Sequence, residues 1–129
     1  MSLQLSKTNT APYDYVSQND GTNPISVNVT LDNSGGTVTS STVTAYLVAT
    51  QYNYTGITVQ PVNEEAGLNW QVSLDGTTWA ESVTPADMDG RTADAITNVY
   101  FRLVATNDGT VTTGNYTLAD VQVTATENP

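Results

Sequence analysis

The chain has no cysteine and no histidine. The first absence removes disulfide cross-links. The second removes the usual general base, the neutral imidazole metal ligand and every Ser-His or Cys-His nucleophile system. Positive charge is scarce as well. Lys7, Arg91 and Arg102 face 13 acidic residues, for a net charge of −10. Such a surface repels phosphate, which argues against nucleic-acid and anionic-membrane partners and favours solubility. No long hydrophobic run exists. The densest apolar stretch, AYLVA at 45–49, is far too short to cross a bilayer. The opening MSLQLSKTNT lacks the basic segment and apolar run of an export signal.

What remains is β-forming. The 129 residues suit one domain with one modest core. They include 23 threonines, and β-branched side chains favour strands. Three Asn-x-Thr sequons, at Asn28, Asn53 and Asn115, carry little weight against that threonine background. Period-2 alternation recurs at short intervals, and no segment has helical periodicity.

Residues 1–24 are mostly polar. Leu3 and Leu5 alternate, YDYV at 13–16 reads as a short edge strand, and SQNDGTNP at 17–24 reads as loop. This predicts an N-terminal arm or edge strand ahead of a domain spanning 25–129. In that domain, Ile25, Val27, Val29 and Leu31 share one face. DNSGG at 32–36 is a turn. A strand around 41–50 sets Val43, Ala45 and Leu47 against Tyr46 and Val48. ITVQPV at 57–62 is shorter, and its Pro61 marks an edge or a strand end. Leu68, Trp70, Val72 and Leu74 form one inward set, and Val99, Phe101, Leu103 and Ala105 another. In the last segment, Tyr116 and Leu118 are out of phase with Val121, Val123 and Ala125. A bulge near Ala119-Asp120 restores both groups to the core. The total is roughly seven to nine strands with sandwich-like turn spacing, an antiparallel all-β sandwich.

The stretch NWQVSLDGTTW at 69–79 poses a question of parity. A two-residue turn at Asp75-Gly76 sets Val72 opposite Trp79, with both inward. A four-residue loop sets Leu74 opposite Trp79, again inward. Only a three-residue loop sets Ser73 opposite Trp79 and exposes the ring. The commoner even-length turns place Trp79 in the core beside Trp70.

Trp70 followed by YFRLVATNDG at 100–109 resembles the immunoglobulin-like sandwich. That family's late strand reads aromatic-x-Cys-x-Ala-x-Asn, then a nearby Gly. Phe101, Leu103, Ala105, Asn107 and Gly109 take those places, with Leu103 replacing the cysteine and no tyrosine-corner hydroxyl at Phe101. A cysteine-free, acidic, Thr-rich chain of this kind also resembles the virion proteins of tailed phages, notably those that decorate the capsid. The resemblance implies a homo-oligomeric structural protein, made in the host cytoplasm, that binds capsid or other virion proteins or presents a surface to bacterial glycans. The alternatives are a carbohydrate-binding or adhesion module and a tail-associated accessory protein.

Candidate chemistry is sparse. PADMDGRTAD at 85–94 places Asp87, Asp89 and Asp94 in one polar loop, and hard cations such as calcium bind clustered carboxylates. The closing Glu of a calcium loop is missing, so a solvated turn without metal is expected. Glu64 and Glu65 are adjacent and point to opposite faces of an extended chain, which excludes a paired-acid site. No enzyme and no cofactor are expected. The interface candidates are the residues with apolar or aromatic area near the arm and in AYLVATQYNYTG: Leu3, Leu5, Tyr13, Tyr15, Tyr46, Tyr52 and Tyr54.

Overall fold

Alternating apolar residues make the twelve-residue strand Ala95–Thr106 the axis of the structure, a computed structural model that describes residues 3–16, 23–63, 65–118 and 120–129. The described residues contain no helix. They form ten strands: β1 (Leu3–Ser6), β2 (Ile25–Val29), β3 (Thr37–Thr39), β4 (Val43–Ala49), β5 (Asn53–Pro61), β6 (Leu68–Ser73), β7 (Met88–Asp89), β8 (Ala95–Thr106), β9 (Gly114–Leu118) and β10 (Val121–Asn128). Every pairing between them is antiparallel.

β8 is central to a five-stranded sheet. β4 pairs with its first half and β3 with its second, both along one edge, while β6 takes the other edge. β1 closes the far side against β4, with Leu3 opposite Ala49 and Leu5 opposite Leu47. The outer edge of β1 is itself covered, because the Val16 amide donates to the Leu5 carbonyl and the Lys7 amide to that of Asp14. A three-stranded sheet has the order β10-β5-β7, and β2 pairs with β9 alone.

The inward sets of all three sheets meet in one hydrophobic cluster. Val99, Phe101, Leu103 and Ala105 of β8 are completely buried, and Ile25, Val27 and Val29 alternate with exposed Ser26 and Asn28. Trp70 is 4 % exposed and stands directly opposite Leu103. Between β6 and β7 the chain changes sheet. Ala80 bridges to Val72 of β6, and three residues later Val83 bridges to Val59 of β5. Gly90 lies where two backbones cross. A Cβ there would sit 2.5 Å from the Ala49 carbonyl oxygen, so only glycine fits without a shift.

Several sequence expectations need correction. Leu74 is not inward, because β6 ends at Ser73 and Leu74 begins the turn, 39 % exposed. Pro61 does end its strand, but that strand is longer than expected and central, starting at Asn53. The phase change after Leu118 is present, since Leu118 and Val121 are both buried. Its origin is a change of partner: β9 pairs with β2, and β10 with β5. The loop residues 17–22, Glu64 and Ala119 lie outside the described residues.

Candidate functional site

The outward face of the five-stranded sheet is built from the residues that alternate with the core. On β8 these are Ile96, Asn98, Tyr100, Arg102, Val104 and Thr106. β4 adds Thr44, Tyr46 and Val48, and β6 adds Asn69, Gln71 and Ser73. β1 adds Gln4 and Ser6, and β3 adds Thr37 and Thr39. None of these positions is acidic, in a chain with 13 acids. Among the described residues only Asp89 and Glu127 of the acids lie on strands, and all others occupy turns and connections.

Trp79 belongs to this outer face, which overturns its expected place in the core. The Val72–Ala80 bridge sets Ser73 beside Trp79, the odd-length register. The cause lies in the turn. The Asp75 carboxylate accepts from the amides of Thr77 and Thr78 at 2.9 and 2.8 Å. The Ser73 hydroxyl accepts from the amides of Asp75 and Gly76. These side-chain caps satisfy a wider turn than the two-residue Asp-Gly hairpin, with Gly76 at its centre in the left-handed region, φ 78°. The same amide donors hold the Asp75 carboxyl well below the usual range.

Once outward, the Trp79 indole is half-buried, and the Arg102 guanidinium lies over it, 4.4 Å from Cζ to the ring centroid. Arg102 Nε donates to Gln71 Oε1 at 2.8 Å from the neighbouring strand. Among the described residues no carboxylate lies within ion-pair distance of Arg102; the ion pair that does form is Arg91 with Asp89, at 2.8 Å. Arg102 and Gln71 were not singled out by sequence reasoning. A lone arginine at an outward position of the central strand was the available signal.

The interface candidates separate into two groups. Leu3, Leu5 and Tyr54 are 1 %, 0 % and 0 % exposed, and a partner cannot reach them. Their phase matches the core face of β1 and β5, where burial of apolar area outweighs exposure. Tyr52 is half-buried against the same core. Tyr46 sits on the outer face. Tyr15 does as well, through its bridge to Ser6, and it is 41 % exposed. The Tyr13 and Tyr15 rings are tilted at 38° with centroids 5.8 Å apart. The Tyr13 hydroxyl donates to Asp94 at 2.8 Å, and this acceptor raises the phenol's pKa.

The loop aspartates are not gathered. Asp89 forms a two-point pair with Arg91, which lowers its pKa to about 2. Asp94 accepts from Tyr13 instead, and Asp87 is exposed. No group of three His, Cys, Asp or Glu residues suited to a metal ion occurs among the described residues.

A separate groove of about 250 Å³ lies beside the edge of β6, lined by Val62, Glu65, Leu68, Trp70, Asn115, Tyr116 and Thr117. The Tyr116 hydroxyl in it already donates to the Thr112 carbonyl. No protein family, curated protein or solved structure matches the chain.

Proposed function

We propose that the chain is a non-catalytic structural protein of a phage virion, an immunoglobulin-like β-sandwich that decorates or cements the capsid as a homo-oligomer. The observation that carries this reading is the segregation of charge. Among the described residues every acid but Asp89 and Glu127 sits in a turn or connection, and the sheet faces are almost uncharged. Neutral sheet faces seat against neighbouring protein without like-charge repulsion, and acidic turns keep the free chain soluble. Each copy then needs only a modest interface, because a symmetric shell supplies avidity. The immunoglobulin-like assignment is supported by Trp70 standing opposite Leu103, where the family's strands bring a tryptophan near the cysteine position. It is supported too by the inward sets of three sheets converging on one core. The test is immunogold labelling of particles purified from a lysate that contains the protein. Regular labelling of capsids is expected, labelling confined to tails would reassign it to a tail-associated role, and unlabelled particles would refute the reading.

A second reading, a glycan-binding module, is favoured by one observation: Trp79 lies on the outer face with Arg102 and Gln71 rather than in the core. The two readings are compatible for a particle that meets a bacterial surface.

A further inference from the structure

We propose that Arg102, held by Trp79 and Gln71, is the anchor of a binding site for a carboxylated saccharide, such as a sialic acid or a uronic acid. The inference rests on the glycan-binding reading and names the class of glycan.

Three observations lead to it. First, Arg102 is fixed from two directions. The indole packs on its guanidinium plane, and Gln71 takes its Nε–H. What the fixed group offers is the fork of Nη donors, the geometry that recognises a carboxylate in two-point fashion. Preorganisation also reduces the entropy lost when a ligand binds.

Second, the charge is unmatched. Asp75 and Glu81, in the connection that carries Trp79, bond to groups other than Arg102. Asp75 caps its own turn, and Glu81 accepts from Asn63 and Asn69. Among the described residues Arg102 has no ion-paired carboxylate, so its guanidinium is a local positive charge, complementary to an anion supplied from outside, in a chain whose net −10 otherwise repels anions.

Third, the site must be read by side chains. At this level β8 pairs with β6 on one side, and on the other Ser40 fills the gap between β4 and β3, its amide donating to the Leu103 carbonyl and its hydroxyl accepting from the Leu103 amide, so the backbone has no ladder positions to offer an added peptide strand. What the patch displays is an aromatic ring, a guanidinium, and the amide and hydroxyl groups of Gln71, Asn98 and Tyr100. This matches a carboxylated sugar: hydroxyls on the amides and the carboxylate on Arg102, with the indole face holding the guanidinium in place.

The test uses the full chain, biotinylated and displayed multivalently on streptavidin, against three probes: sialyllactose, lactose, and sialyllactose methyl ester. Galacturonate oligomers form a fourth arm that separates uronic from sialic acids. Binding to a carboxylated probe is expected, weaker by at least about tenfold for lactose and the methyl ester. Arg102→Gln should abolish the preference while leaving the melting temperature near wild type, and Arg102→Lys should restore it only in part. Equal binding of sialyllactose and its ester, or undiminished binding by Arg102→Gln, overturns the carboxylate proposal while sparing a glycan-binding role. No binding to any saccharide overturns both and leaves particle labelling to decide the virion reading. Loss of particle association in Arg102→Gln without saccharide binding would identify the partner carboxylate as one on a protein.

Discussion

The side chain of Asn63 occupies the place of a strand beside Trp70. Its carboxamide oxygen accepts from the Trp70 amide at 2.7 Å, and its amide nitrogen donates to the Trp70 carbonyl at 3.1 Å. One side chain thereby reproduces the two-bond exchange of an antiparallel pair, at the edge of β6 that β8 does not cover. Asn63→Ala would leave the partly buried N–H and C=O of Trp70 without their side-chain partner, at a cost of about 1–3 kcal/mol. Hydrogen exchange at the Trp70 amide should quicken more than at the Leu103 amide. Equal protection in variant and wild type would show that the edge needs no cap.

The two tryptophans should behave oppositely. Trp70→Ala removes a buried ring and should destabilise the fold by about 3–5 kcal/mol. Trp79→Ala removes a half-exposed ring and a surface cation–π contact, for about 1 kcal/mol. In single-tryptophan variants, acrylamide should quench Trp79 readily and Trp70 poorly. The reverse order would contradict the odd-length register of the 74–78 turn.

Asn107 is 3 % exposed and organises the 32–36 turn from the end of β8. Its Oδ1 accepts from the amides of Asp32 and Asn33, and its Nδ2 donates to Asp32 Oδ1. Asn107→Ala should cost about 1–3 kcal/mol. Asn107→Asp should cost more at neutral pH than at pH 3, because it sets a second carboxylate against Asp32. Chemical denaturation at the two pH values distinguishes the cases.

Acid sensitivity follows from the turns. Asp32 is held at about 2 by the Ser34 hydroxyl and the Asn107 amide, and Asp89 at about 2 by Arg91. Asp75 and Asp108 are lowered by the amides and hydroxyls of their own turns. A depressed carboxylate contributes its full stabilisation above the unfolded pKa of about 3.9 and loses it as pH falls toward the folded value. Stability should therefore drop between about pH 4 and pH 2, and Asp32→Asn should make that drop shallower. With no histidine to titrate, the melting temperature should be nearly flat between about pH 6 and pH 8.

β1 belongs to the core rather than to a detachable leader. Leu3 and Leu5 are buried, and Ser6 is fully buried between β4 and the Tyr15 bridge. Deleting residues 1–16 should abolish cooperative unfolding, and Leu5→Ala alone should cost about 2–5 kcal/mol. A truncated chain that melts like the wild type would return the segment to the role of an arm.

Legibility in the sequence depended on how many residues spoke to each register. β8 and β2 were readable because four and three inward positions in a row agree, and a one-residue slip would expose them all. Trp79 departs from its expected place because its parity hangs on one turn, whose length is set by amides donating to the Ser73 hydroxyl and the Asp75 carboxylate rather than by hydrophobic pattern. β3 and β7, three and two residues long, contain too few alternations to announce themselves. The candidate surface was half visible. Of the interface candidates, Tyr15 and Tyr46 lie on the outer face, whereas Leu3, Leu5 and Tyr54 point into the core, because aromatic or apolar character alone does not reveal phase. Arg102 and Gln71 became a pair only when β6 and β8 were laid side by side.

The three-residue spacing between Leu118 and Val121 makes chain length unequally forgiving along the sequence. Removing one residue between them would turn Val123 and Ala125 toward water together, since every later side chain of β10 would exchange sides. Adding one residue to the 74–78 turn would leave the pairing of β6 with β8 in place and change only the caps and the parity of the short return through Trp79 and Ala80. A gene drifting under selection for this fold should therefore accumulate insertions and deletions in the turn after β6 and keep a fixed count between β9 and β10.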